Sequence, residues 1–339
     1  MSDEVTLGPG TLDRVTLDRL KPDPAALDEA TLQPAAIDEP GFEPIPIATP
    51  PRFELLRVFA ESRIALSGAV LLALFVVAAV FAPWLVPQNP YDLAKLDILD
   101  ATLPPGSVAG DGSMHYLLGT DGQGRDMLSA IVYGLRISVF IGVSSTAVAA
   151  LIGVALGLLA GYLGGTADAA IMRIADLQLS FPSILIALIL LAFLHPGLGN
   201  IVVALVAVQW AYYARTVRGS ALVERQKDYI EAARGLGLST PRIVFRHLLP
   251  NCLPPLVVVA TLQIASAIAL EATLSFLGLG VPITEPSLGL LIANGFQVLF
   301  AGKYWISVYP GVALVLLIVS LNLVADRLRD LLDPRLSGR

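Results

Sequence analysis

Six long apolar stretches, set apart by short polar ones, constrain this chain more than any other feature. They run from Ile64 to Ala82, Ile137 to Leu163, about Asp176 to Leu194, Leu198 to about Ala214, Leu253 to Leu279 and Ile306 to Ala325. A helix needs about 20 apolar residues to cross a bilayer. A lipid-exposed backbone must also satisfy its own hydrogen bonds, which a helix does within one segment. The expected fold is therefore all-α: a polytopic membrane protein with six transmembrane helices. Only His195-Pro196-Gly197 parts the third stretch from the fourth, so a re-entrant hairpin is the alternative there. Composition points the same way, because 15% of the residues are charged where a soluble domain has about 25%.

Lysine and arginine placement sets the expected orientation. With the N-terminus in the cytoplasm, the outer segments of residues 51–339 hold only Lys95, Arg125, Arg136 and Lys303, and the inner segments hold the other 15. That bias is what the positive-inside rule requires, so both termini are expected in the cytoplasm. Residues 83–136 then form an extracytoplasmic loop and residues 215–252 a cytoplasmic one. Residues 1–50 are a different material, with 10 acidic and 3 basic residues and weak repeats, TLDR at 11–14 and 16–19, PAALDE at 24–29 and PAAIDE at 34–39. Acidic, proline-rich and nearly free of aromatics, this segment reads as a disordered tail. Nothing in it resembles a signal peptide.

The cytoplasmic loop contains DYIEAARGLGLSTPRIVFRHLLPN, Asp228 to Asn251. Asp228 suits an N-cap, with Glu231 three residues later in a capping box. Gly237 suits the left-handed residue that ends a helix. Thr240-Pro241 reads as a second helix start, and Pro250 as its stop. Two short helices around a glycine turn would make a basic knob fit to dock on a soluble partner. An ordinary basic loop is the plainer reading.

This segment resembles the EAA loop of ABC importer permeases: Glu231, Ala232 and Ala233, Gly237 after three residues, and Leu249-Pro250 at the close. The run R-H-x-L-P-N, with His247 in place of the general Ile, looks like the dipeptide, oligopeptide and nickel branch, and specifically its second, C-type permease subunit. Further likeness lies at LGTDGQGRD (Leu118–Asp126), at Gly161–Leu190 and at EATLSFLGLGVP (Glu271–Pro282), so that it spans about residues 52–339. PSLG at 286–289 departs from an expected PSWG. The resemblance implies a type I importer permease fold in a bacterial or archaeal inner membrane. It implies an ATPase-coupling role for Glu231, Ala232, Ala233, Gly237, Leu249 and Pro250. It also implies the partners: a second homologous permease subunit, two cytoplasmic ATP-binding-cassette ATPases and an extracytoplasmic substrate-binding protein. Peptides are the expected cargo, with nickel or another small solute as the alternative.

Candidate pathway residues are few. Glu271 falls within the fifth stretch, where a carboxylate is costly unless it faces water or a partner; it lines the cavity or bonds a neighbouring helix. Arg173 and Asp176, three apart on one helix face, are expected to pair. Gln178 and Gln263 line a path or join helices. LGTDGQGRD lacks the ligand pattern of a calcium loop and reads as a connector leading Met127–Gly134, an interfacial helix, into the membrane.

No G-x-x-x-x-G-K-[ST] phosphate cradle is present, nor any constellation suited to catalysis. Cys252 stands alone, and the three histidines lie far apart, which suggests no metal site. The chain is thus expected to bind no cofactor, to leave ATP to its partners and to have no use for nucleic acid. A secondary transporter, whose matching halves are not evident, and a non-transporting membrane scaffold are the readings from other classes.

Overall fold

The computed structural model describes residues 58–332, apart from 93 and 95. The expectation of a disordered acidic tail over 1–50 lies outside the described residues. Eleven helical segments matter here: α1 (Arg63–Val80), α2 (Ala82–Leu85), α3 (Met127–Leu163), α4 (Gly165–Leu179), α5 (Ser183–Leu194), α6 (Leu198–Glu224), α7 (Asp228–Gly235), α8 (Thr240–Ile243), α9 (Leu249–Phe276), α10 (Leu288–Val298) and α11 (Trp305–Leu332). A hairpin of two-residue strands, Ser107–Val108 against His115–Tyr116, is the sole sheet among the described residues.

The bundle has two ends. At one, Tyr162 of α3 meets Ile230 and Ile243, and Arg327 of α11 donates to the Val58 carbonyl. At the other, Trp305 at the start of α11 donates through Nε1 to the Thr120 carbonyl at 3.1 Å. We call these the knob end and the loop end. The long helical runs of the bundle are α1, α3, α4 with α5, α6, α9 and α11. Length and apolar composition qualify four of these helical runs to cross a membrane, and a fifth if α4 and α5 count as one span. Helix α6, at 27 residues, is about 40 Å long, but it carries Gln209 near its middle and Arg215, Arg218 and Glu224 in its later half.

Large side chains face outward along the passes, Leu74, Leu151 and Phe193 among them. Many small and polar ones, Gly153, Ala204 and Gln209 among them, face inward beside larger apolar ones, as suits a solvent that is itself apolar. One core cluster at the loop end joins Met127, Ile131, Ile268, Leu288, Trp305 and Leu317. Leu288 therefore fills the core where the expected Trp would have stood.

Helices α3 and α6 pack closely along a shared seam. A Cβ on Gly153 would lie 2.5 Å from the Trp210 carbonyl oxygen, one on Gly157 2.5 Å from that of Ala214, and one on Gly161 2.7 Å from Ala221 Cβ. The glycines recur every four residues and form one face of α3, a small-residue seam that lets two backbones touch. The sequence reading missed this signal. Gln178 serves as a joint: its Nε2 donates to the carbonyls of Ala207 at 2.6 Å and Val208 at 2.9 Å on α6.

Four expectations of local structure need correction. The third pass is no straight helix, since α4 and α5 meet at 91° across Ser180-Phe181-Pro182, where proline disfavours helix in the residue before it. Met127–Gly134 is no separate interfacial helix but the start of the 37-residue α3. Asp126 caps that helix, accepting from the Ser129 N–H at 2.8 Å. Pro250 stops nothing: the chain continues from α8 through a π-turn, Val244–Leu248, into α9, and that wider turn accommodates the missing N–H. Finally, Lys227 and Ser239, not Asp228 and Thr240, occupy the N-cap positions, and neither supplies a side-chain cap.

The LGTDGQGRD connector is tightly built. Asp121 accepts from the N–H groups of Gln123 and Arg125 and pairs with Arg125 Nε at 2.6 Å, both side chains being buried. Gly124, at φ +76°, could not carry a side chain: its Cβ would lie 2.1 Å from the Asp97 carbonyl oxygen. Removing one member of a buried pair typically costs about 3–5 kcal/mol. Arg125→Met is accordingly expected to lower the thermal midpoint of the purified protein, read by intrinsic fluorescence, with a loss near the bottom of that range because Asp121 keeps its backbone donors.

Candidate functional site

The knob is built from α7, the turn after it and α8. Helix α7 ends in a Schellman motif: Gly237 sits at φ +72°, its N–H donates to the Arg234 carbonyl at 2.9 Å, and the Leu238 N–H reaches the Ala233 carbonyl at 3.1 Å. Leu238 then packs with Ile230, Ala233 and Ile243 on Tyr162. The Arg234 guanidinium lies 5.5 Å above the Tyr162 ring, a cation–π contact. Tyr162 is thus the pedestal on which the knob rests. Nothing in the linear sequence marked it.

Further bonds fix the hinge between α6 and α7. Arg225 Nη1 donates to the Gly161 carbonyl at 2.9 Å. Glu224 accepts from Lys227 Nζ at 2.6 Å and from the Tyr229 hydroxyl at 2.5 Å. Asn251, on α9, donates to that same hydroxyl at 3.1 Å. Desolvation, and then the Glu224 carboxylate, push the Tyr229 phenol up to about 12, so it remains a neutral donor across physiological pH.

The expected coupling residues divide by direction. Glu231, Ala232, Gly237 and Pro250 are exposed, Leu249 is half-buried, and Ala233 is buried beneath α7. Leu236, which was not among them, is 80% exposed at the tip. The outer face of the knob therefore carries charges of both signs, Asp228, Glu231 and Arg234 among them, with small residues and a bare leucine, on a support held from three helices.

The pathway candidates are placed differently. Asp176 pairs with Arg215 of α6 at 2.5 Å and not with Arg173, because α6 runs beside α4 and presents its guanidinium directly. Eight residues earlier on α4, Asp168 makes a two-point pair with Arg218, with Nη2 to Oδ2 at 2.6 Å. Glu271 is fully buried. It accepts from Ser275 Oγ at 2.7 Å on its own helix and from Ser138 Oγ at 3.2 Å on α3. Two helices thus meet on one carboxylate.

Comparison with known proteins gives this arrangement its context. A family model described as "Binding-protein-dependent transport system inner membrane component" matches residues 153–338. A second, "N-terminal TM domain of oligopeptide transport permease C", matches residues 53–105. The di/tripeptide transport system permease protein DppC of Pseudomonas aeruginosa (strain UCBPP-PA14) is 40% identical over 85% of this chain and 93% of its own. The probable D,D-dipeptide transport system permease protein DdpC of Escherichia coli (strain K12) is 40% identical over 82% of this chain and 90% of its own. The dipeptide transport system permease protein DppC of Haemophilus influenzae is 37% identical over 82% of this chain and 92% of its own. A membrane-buried helical bundle with a rigid knob at one end, matched along most of its length by such permeases, belongs to the family of binding-protein-dependent transport system inner membrane components and is a transport permease, not an enzyme.

Proposed function

We propose that this chain is the C-type permease subunit of an ATP-driven importer of short peptides. The knob carries this reading: an exposed Glu231, Ala232 and Leu236 held on the Tyr162 pedestal make a stiff lever to which an ATPase can transmit force. Names of relatives at about 40% identity supply the peptide cargo. The knob end is the cytoplasmic side, supported by the Lys and Arg bias and by Val58 and Arg327, near the two termini, meeting at that end. The loop end then faces the extracytoplasmic binding protein. A second, homologous permease completes the path, and two ATPase subunits supply the energy.

Glu231, Ala232, Gly237 and Pro250 form or shape the docking face, while Ala233 and Leu249 act from beneath it. Glu271 is read as a joint between α9 and α3, since a hydroxyl on each donates to it. Arg173 and Asp176 lie on α4, Asp176 in the pair that holds that helix to α6.

Reconstitution with the partner permease, the ATPases and the binding protein tests the proposal. Dipeptide uptake into proteoliposomes should require ATP, and Glu231→Lys, which leaves every bond within the knob in place, should lower ATPase copurification and uptake by about tenfold, as loss of one charged contact does. Uptake of nickel with no uptake of peptide would overturn the cargo assignment.

A further inference from the structure

Two cavities open at the loop end, of about 410 and 440 Å³, and both are lined by Tyr91, Ile137 and Leu198. Each falls in the range of roughly 300–1,000 Å³ that small-molecule sites occupy. Their charges are opposite. The first is walled mainly by aliphatic side chains and Phe140 and contains Arg136; the second contains Thr284 and Glu285.

Neither group has an ion-pair partner among the described residues. Glu285 Oε2 is buried and has no hydrogen-bond partner. Arg136 is exposed. A buried carboxylate oxygen without a donor is costly, and a cationic occupant of the cavity would supply that donor. Between the two charges stands Tyr91, seated edge-on against Tyr133 with ring centroids 5.1 Å apart. Its phenol feels both Glu285 and Arg136, yet the two lie beyond ion-pair reach of one another.

We infer that these joined cavities form a receiving site for a short zwitterionic peptide with both termini free, Glu285 taking the α-ammonium and Arg136 the α-carboxylate. An ammonium needs acceptors, which the free Oε2 supplies. A carboxylate suits the forked donors of a guanidinium. Ile137, Leu198 and Phe140 offer apolar wall to the side chains. A residue spans at most about 3.6 Å, so a di- or tripeptide can hold its end charges farther apart than ion-pair reach, as the two side chains are. This inference rests on the peptide-importer reading and adds the side chains that would measure the cargo.

The complete importer in proteoliposomes, with saturating binding protein, provides the test. Uptake is compared for one tripeptide in its free, N-acetylated and C-amidated forms; selection by the binding protein is common to all variants and cancels between them. Glu285→Gln should lower uptake of the free peptide about tenfold and bring its advantage over the N-acetylated form near unity. Arg136→Gln should do the same against the C-amidated form. Glu285→Asp, which keeps the charge, should preserve the wild-type preference, and this separates recognition from damage to the fold. If Glu285→Gln fails to assemble, Arg136→Gln and Glu285→Asp decide the question. Wild-type preferences in Glu285→Gln and Arg136→Gln, with peptide still imported, would overturn the site alone. A wild-type complex that imports no peptide would overturn both this inference and the function beneath it.

Discussion

Gly157→Val is expected to remove nearly all folded permease from the membrane. Its Cβ would come 2.5 Å from the Ala214 carbonyl oxygen, 2.9 Å from Val217 Cβ and 3.1 Å from Ala214 Cα. Two of those atoms are backbone and cannot rotate away, so α3 and α6 must part along their whole seam. Overpacking of a side chain alone costs about 1–3 kcal/mol. A radial gap of 0.5–1 Å forfeits about a quarter to a half of each dispersion contact, so separation of two long helices should cost about 3 kcal/mol or more. Against the 5–15 kcal/mol typical of folded proteins, that is severe. Membrane levels and resistance to proteolysis should both collapse. Gly219 of α6 has no atom within 4 Å of a Cβ, so Gly219→Ala should keep wild-type levels. Equal levels for Gly157→Val would mean that the seam is not a close contact in the membrane.

Gly237→Val should have as large an effect on coupling while leaving the bundle in place. Nothing lies within 4 Å of a Cβ at this position, so the whole penalty comes from the backbone at φ +72°. A left-handed β-branched residue costs about 1–2 kcal/mol, enough to break the turn but not the helical bundle. Once the Schellman bonds are lost, Leu238 leaves Tyr162 and the outer face of α7 loses its direction. The variant should reach the membrane at wild-type level, bind the ATPase subunits weakly and show no substrate-stimulated ATP hydrolysis. Gly237→Asn, which tolerates the left-handed region, should retain most of the coupling. Full coupling in the valine variant would reduce the knob to an ordinary loop.

The corrections share a cause. The passes were legible because apolar length is a property of contiguous residues, and the Gly237 turn because left-handed backbone has few tenants. Pro250 misled because a wider turn supplied by Val244–Leu248 lets a helix run through it. Arg173 and Asp176 stand at the right spacing to pair, yet Asp176 chose Arg215, 39 residues away, because α6 lies against α4. The bend at Ser180–Pro182 had its proline in view, but 91° is set by what α5 packs on, namely Ile201, Ala204 and Leu205.

What the sequence by itself determined is the solvent of this protein, its helical class, its sidedness of charge and the position of its knob. Each depends on local composition or on a backbone preference within a few residues. Only the tertiary structure decided that Gly153, Gly157 and Gly161 form a seam, that Tyr162 carries the knob, that Ala233 faces inward while Ala232 faces out, and that Tyr91, Arg136 and Glu285 gather at one end. Those residues lie tens to hundreds of positions apart. Their meeting depends on which helix faces close against each other, and in a bilayer, where apolar residues gain little by leaving lipid, that choice rests on shape and on buried polar bonds that no single stretch of sequence displays.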